Sequence, residues 1–171
     1  MAAGSTYTPI ATTTASGSVS SITFTGISGS YTDILLVCNA YYTTSSRTSF
    51  SIQVGNGSID TGTNYSWTGL YGNGTTAASG RATSQTYTYG GVISGVPCTF
   101  LVHLLNYSNT TTYKTFLTRG NSLGSSASED VWAGANLWRS TSAINQVKVY
   151  VGNGSNFTSD SVFTLYGITA A

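Results

Sequence analysis

"SVFTLYGITAA" (161–171) sets Phe163, Leu165 and Gly167 on one side and Thr164, Tyr166 and Ile168 on the other. A period of two belongs to a β-strand, whose successive side chains point to opposite faces. The chain closes on this stretch, and the expectation is that it is a core member of a sheet that it completes.

The same period recurs upstream. "SVSSITFTGI" (18–27) alternates Ile22 and Phe24 with Ser and Thr, and "SFSIQV" (49–54) alternates Phe50, Ile52 and Val54. "DILLVCNAYY" (33–42) is nearly all apolar, the pattern of a central strand covered on both faces. "NYSWTGLYG" (64–72), "QTYTYGGVI" (85–93), "CTFLVHLLNYS" (98–108), "YKTFLTRG" (113–120), "WAGANLWRS" (132–140) and "INQVKVYVGNG" (144–154) complete the set. Gly, Asn, Asp and Ser separate these runs, and no amphipathic helix interrupts them. About ten short strands joined by short turns favour antiparallel pairing, because parallel pairs need long crossovers. The expected fold is therefore all-β, an antiparallel two-sheet β-sandwich of jelly-roll type. Residues 1–18, with Pro9 in a Thr-rich run, read as an extended N-terminal arm, and 19–171 as a single sandwich domain. The arm is expected to order on assembly, with the loops Gly55–Tyr65 and Gly72–Arg81 facing outward.

Composition narrows the function. The 171 residues carry six Lys+Arg and five Asp+Glu, 6% charged in all, with a net charge of +1. The six basic residues are scattered, so the chain has no patch with which to release counterions from a polyanion, and nucleic acid is not an expected partner. With 40% hydrophobic and 12% aromatic residues the chain is not expected to be disordered. A neutral surface of Ser, Thr, Asn and Tyr suits contact with proteins or sugars. No run approaches the roughly 20 apolar residues of a membrane span, and the N-terminus shows no basic and apolar pattern of a signal peptide. Cys38 and Cys98 each lie inside an apolar run and are expected to be buried free thiols, as in a reducing cytosol.

Candidate chemistry is sparse. His103, the one histidine, shares a strand side with Leu101 and Leu105 and reads as a partly buried strand residue. Asp33, Asp60, Glu129, Asp130 and Asp160 are dispersed, and Glu129 and Asp130 read as a solvated loop. "GNGSIDTGTNYS" (55–66) holds Asp60 and Asn64 in a Gly-rich loop, but it lacks the repeated acids of a calcium loop and reads as turn chemistry. No catalytic residue, metal or cofactor is nominated. Trp67, Tyr71, Trp132, Trp138 and the Tyr41–Tyr42 pair are the aromatics suited to a sugar surface or an interface, with core packing the simpler reading for each Trp. Tyr7, Pro9, Tyr41, Tyr42, Tyr65 and Tyr71 are the candidate contact residues.

Several stretches together carry a resemblance: "STYTPIATTT", "ITFTGISGSYTDILLVCNA", "DTGTNYSWTGLYGNGTTAASGR", "LLNYSNTTTYKTFLTRGN", "LWRSTSAINQVKV" and "FTLYGI". The chain resembles a family of small β-rich structural proteins of tailed bacteriophages, of the cyanophage and marine-phage type. That resemblance implies a non-enzymatic virion component on the outer particle surface, made in the bacterial host cytoplasm. Two roles follow. One is a capsid decoration (cement) protein bound to the major capsid protein or other virion proteins, as a homo-oligomer with a trimer favoured. The other is the receptor-binding head of a tail fibre, gripping a host glycan. Only about eighteen residues precede the first strand seen in the sequence, which leaves no fibre shaft and favours decoration.

Overall fold

Alternation in the sequence becomes alternation in burial. In β3 (Asp33–Ala40) Ile34, Leu36, Cys38 and Ala40 are buried while Leu35 and Val37 are half-exposed, and β13 (Val162–Ile168) buries Phe163, Leu165 and Gly167 in the same way. The "covered on both faces" expectation for 33–42 is thereby corrected: one face packs into the core and the other looks outward. The computed structural model describes residues 6–42, 46–122 and 130–169, and among these it is all-β without a helix.

The remaining strands are β1 (Tyr7–Thr14), β2 (Ser21–Phe24), β4 (Thr48–Asn56), β5 (Ser58–Ile59), β6 (Tyr65–Gly72), β7 (Ala77–Gln85), β8 (Thr88–Ile93), β9 (Cys98–Leu104), β10 (Lys114–Ser122), β11 (Asp130–Trp138) and β12 (Gln146–Val151). They form two antiparallel sheets. The large sheet has the order β1-β13-β3-β9-β10-β11-β6-β7, and the small one β2-β12-β4-β5, with β8 also paired to β4. The pairs β1–β13, β2–β12, β3–β9 and β4–β8 are nested, and successive pairs alternate between sheets. Such nesting gives two facing four-strand sets, β1-β13-β3-β9 and β2-β12-β4-β8, which is the connectivity of a jelly roll. Strands β10, β11, β6 and β7 are additions that widen the large sheet past the width of the small one.

The expected arm is a correction. Tyr7–Thr14 is the outermost strand of the large sheet, paired antiparallel with β13 from Tyr7↔Ile168 to Thr14↔Val162. Ile10 and Ala11 pack against the core. The Thr-rich run is β-branched and suits an edge strand. Pro9, which has no N–H to give, sits beside the irregularity between Pro9 and Ala11, where an edge tolerates it. The expected outward loop Gly72–Arg81 instead runs into strand β7 (Ala77–Gln85), the opposite edge. Its hairpin turn is made by Asn73-Gly74: Gly74 has φ +85°, and Asn73 Oδ1 accepts the N–H groups of Thr75 (3.2 Å) and Thr76 (2.7 Å).

The core lies between the sheets. Phe50 of β4 stacks on Phe100 of β9 with ring centroids 4.0 Å apart, and Phe157 meets Phe163 edge-on at 4.9 Å. Cys38 and Cys98 are buried free thiols on inward positions. Tyr65, fully buried, ties the sheets together. Its hydroxyl accepts the Val54 N–H (3.1 Å) and lies 2.9 and 2.8 Å from the carbonyls of Val54 and Asp60.

Candidate binding cleft

The added strands build the site. β8 lies against β10 and β11, and the inner side of β6 and β7 extends past it. Apolar inward side chains there have no opposing sheet to bury them, and large aromatic rings fill the space instead. The register sets Trp132 opposite Tyr71, Gly134 opposite Gly69 and Asn136 opposite Trp67. The glycine pair leaves a slot in the sheet, and the Trp132 ring lies in it. A Cβ on Gly69 would stand 2.1 Å from two carbons of that ring, and one on Gly134 would stand 2.6 Å from its Nε1.

Trp132 is the hub of the cluster. Its ring meets Tyr89 at 4.7 Å and 85°, Trp67 at 5.8 Å and 70°, and Tyr71 at 6.4 Å and 20°. Trp67 lies 5.1 Å from Tyr89 at 30°. The Trp132 Nε1–H donates to Thr118 Oγ1 (3.1 Å), which also accepts from Asn136 Nδ2 (3.1 Å). That buried relay fixes the ring's position. The rings differ in exposure: Trp132 is buried, Trp67 and Tyr89 are half-buried, and Tyr71 is 39% exposed. Together they wall a cavity of about 390 Å³ with a charged rim. On that rim the Arg47 guanidinium pairs with the Asp130 carboxylate, the acid buried and the arginine side chain 42% exposed. Burial pushes the Tyr89 phenol above its usual range, partly offset by the nearby Arg47 cation, so the hydroxyl stays protonated at neutral pH.

This arrangement offers flat apolar faces beside one acceptor and one fork of donors. Apolar C–H faces of a sugar ring stack on such aromatics, while neighbouring hydroxyls donate to the carboxylate and accept from the guanidinium. The pair is neutral overall, so the cleft selects for no net charge.

Of the sequence-derived contact residues, Tyr71 alone lines this cleft. Tyr42 and Tyr65 are corrections, because both are buried: the Tyr42 hydroxyl accepts from Asn153 Nδ2 (2.6 Å), and the Tyr65 hydroxyl joins the sheets. Tyr41, half-buried beyond β3, is held through its N–H to Ser161 Oγ (2.9 Å). Tyr7 and Pro9 are exposed on β1, where Tyr7 meets Tyr166 edge-on at 6.4 Å.

Trp138 caps the core, donating its Nε1–H to Asp60 Oδ2 (2.7 Å). Asp60 also accepts from Asn64 Nδ2 (2.9 Å) and from the Gly62 N–H (2.8 Å), so this loop spends its carboxylate on turn bonds. Burial tends to raise the Asp60 pKa, but the bonds from Trp138, Asn64 and Gly62 outweigh it and hold the carboxyl below its usual range. Among the described residues, no group of three or more His, Cys, Asp or Glu side chains is placed to hold a metal ion. His103 lies on the outward side of β9, 3.5 Å from Asp33. Glu129 lies outside the described residues, whereas Asp130, read from the sequence as solvated, is buried in its ion pair.

No family model and no curated protein matches the chain. Among solved structures, a protein of unknown function from Shewanella oneidensis MR-1 aligns over 100% of this chain and 82% of its own, with 7% identity and a TM-score of 0.21. A likeness that slight informs neither the fold nor the role.

Proposed function

We propose that this protein is a non-enzymatic saccharide-binding jelly roll that holds a short, neutral sugar in the aromatic cleft. The observation that carries the reading is the convergence of Trp67, Tyr71, Tyr89 and Trp132 on one cavity rimmed by the Arg47–Asp130 pair. A cavity of about 390 Å³ falls at the small end of ligand sites, roughly 300–1,000 Å³, which suits a short saccharide rather than a long chain. The resemblance to tailed-phage structural proteins supports a place on a phage particle, and of the two virion roles the cleft fits the glycan-gripping head. The N-terminal arm expected to order on assembly does not support attachment to a shell, because Tyr7–Thr14 is committed to the sheet.

Calorimetric titration against a panel of neutral and acidic mono- and disaccharides tests this. Binding of a neutral sugar is expected near the millimolar range, about −4 kcal/mol. Tyr71→Ala is expected to weaken it about tenfold, or 1.4 kcal/mol. Equal affinity of wild type and Tyr71→Ala, or binding confined to acidic sugars, contradicts the proposal.

A further inference from the structure

The two outer faces of the sandwich differ in kind. An antiparallel sheet normally turns polar side chains to water, and the small sheet does so with Ser21, Thr23, Ser49, Gln146 and Lys148. The large sheet does not. Its β11 presents Val131, Ala133, Ala135 and Leu137 outward, flanked by Leu70 of β6 and Leu117 of β10. Val131 is 67% exposed, Leu70 65% and Leu117 44%. The apolar character continues across the sheet, through Leu101 on β9 to Leu35 and Val37 on β3, all half-buried. Arg119, set between Leu101 and Ala133, is charged, and the same face carries Asp33 of β3 beside His103 of β9 and, toward its edge, Arg81 of β7.

We infer that this face packs against the same face of a second copy of the chain, making a two-fold dimer. Area is the first argument. The apolar rows lie on five strands that, about 4.8 Å apart with four outward rows about 6.8 Å apart, span roughly 650 Å². A polar rim with Thr164 and Tyr166 of β13 and Arg81 of β7 widens the face to on the order of 1,000 Å². A stable interface takes about 800 Å² from each partner. Charge is the second. With a net charge of +1, the chain sets no appreciable repulsion against its own copy, and two nearly neutral apolar faces are complementary to each other. Symmetry sets the number. A two-fold interface is isologous, so one copy of the same patch covers this face. The Arg119 stem can lie along the apolar surface with its guanidinium toward the rim or toward partner Thr and Asn side chains. The cleft is on the opposite side of this sheet, so a dimer would carry two clefts facing away from each other.

Sedimentation equilibrium across the micromolar range tests the inference on the full chain. The wild type is expected at twice the 17.8 kDa chain mass. The double variant Leu70→Glu/Val131→Glu is expected to be monomeric, its dissociation constant raised by about a hundredfold or more because the carboxylates would be buried without partners. Both positions are solvent-exposed in the single chain, so its circular dichroism should match the wild type, and its melting temperature should lose only the concentration-dependent increment that dimerisation adds. Thr23→Glu, on the small sheet, should remain a dimer. A monomeric wild type, a trimer, a folded double variant that stays dimeric, or wild-type monomers that bind lipid vesicles through this face would each overturn the inference.

Discussion

Gly69→Ala adds one methyl group where the structure has no room for it. The new Cβ would stand 2.1 Å from both Cη2 and Cζ2 of Trp132. The indole has little retreat along the sheet, since it already runs over Gly134, where an added Cβ would stand 2.6 Å from its Nε1. The ring must therefore leave its slot. Overpacking of this kind costs about 1–3 kcal/mol. Leaving the slot also breaks the Trp132–Thr118 hydrogen bond, about 1 kcal/mol, and disturbs the edge contact with Tyr89, about 0.5–1.5 kcal/mol. Restricting the unfolded chain returns about 0.4–1 kcal/mol. The net is about 3 kcal/mol, which in a domain of this size lowers the melting temperature by roughly 6–12 °C. Differential scanning calorimetry reads that shift, and tryptophan emission moving to longer wavelength reports the displaced ring. Gly80→Ala is the control, because its Cβ would lie 3.4 Å from Trp67, an ordinary contact, and it should melt close to the wild type. A Gly69→Ala protein that melts within about 1 °C of the wild type would refute the slot.

Three further outcomes follow from the same geometry. Deleting residues 2–14 removes β1, bares the edge of β13 and strips Ile10 and Ala11 from the core; the truncated chain should melt several degrees lower or fail to fold, and an unchanged melt would return these residues to the status of an arm. Asp60 has its folded pKa below the ordinary value of 3.8, so its contribution to stability is present above that pH and is lost as pH falls through the folded value. Asp60→Asn should therefore be less stable than the wild type at pH 7, and its stability should fall less steeply below about pH 4 in denaturant titrations; parallel acid profiles would exclude this role. Cys38 and Cys98 should resist a thiol reagent in the folded protein, where burial pushes the Cys38 thiol far above its usual range, and both should react after denaturation without reductant; a pair that reacts only after reduction would mean a disulfide.

The sandwich was legible because its core strands carry large apolar side chains at alternate positions. Phe50, Ile52 and Val54, or Phe163 and Leu165, mark the core by period alone. The two edge strands were not legible from core periodicity. β7, "AASGRATSQ", carries no large apolar side chain because neither of its faces is deeply covered, and in β1 Pro9 and a Thr run conceal a strand that pairs along its length with β13. Which face "DILLVCNAYY" turns outward was likewise invisible, since Leu and Val read the same on either side. The cleft depends on pairings between distant residues: Trp67 with Trp132 through the β6–β11 register, and Arg47 with Asp130 through an ion pair. Composition and period carry no such information. One local signal pointed toward it. Trp67-Thr68-Gly69 and Trp132-Ala133-Gly134 each set a tryptophan two positions from a glycine on the same face of a strand, and facing glycines of this kind leave a slot for a ring.

The chain has three tryptophans, and they provide their own test of the cleft. Trp67 and Trp132 wall the cavity, whereas Trp138 is held by Asp60 outside it. A ¹⁵N–¹H titration with the neutral saccharide that binds best follows the three indole N–H signals separately. The saccharide account predicts saturable shifts of the Trp67 and Trp132 signals with a single affinity, while Trp138 stays in place. Shifts at Trp138 alone, or none at any indole under a sugar excess that saturates millimolar sites, would contradict it.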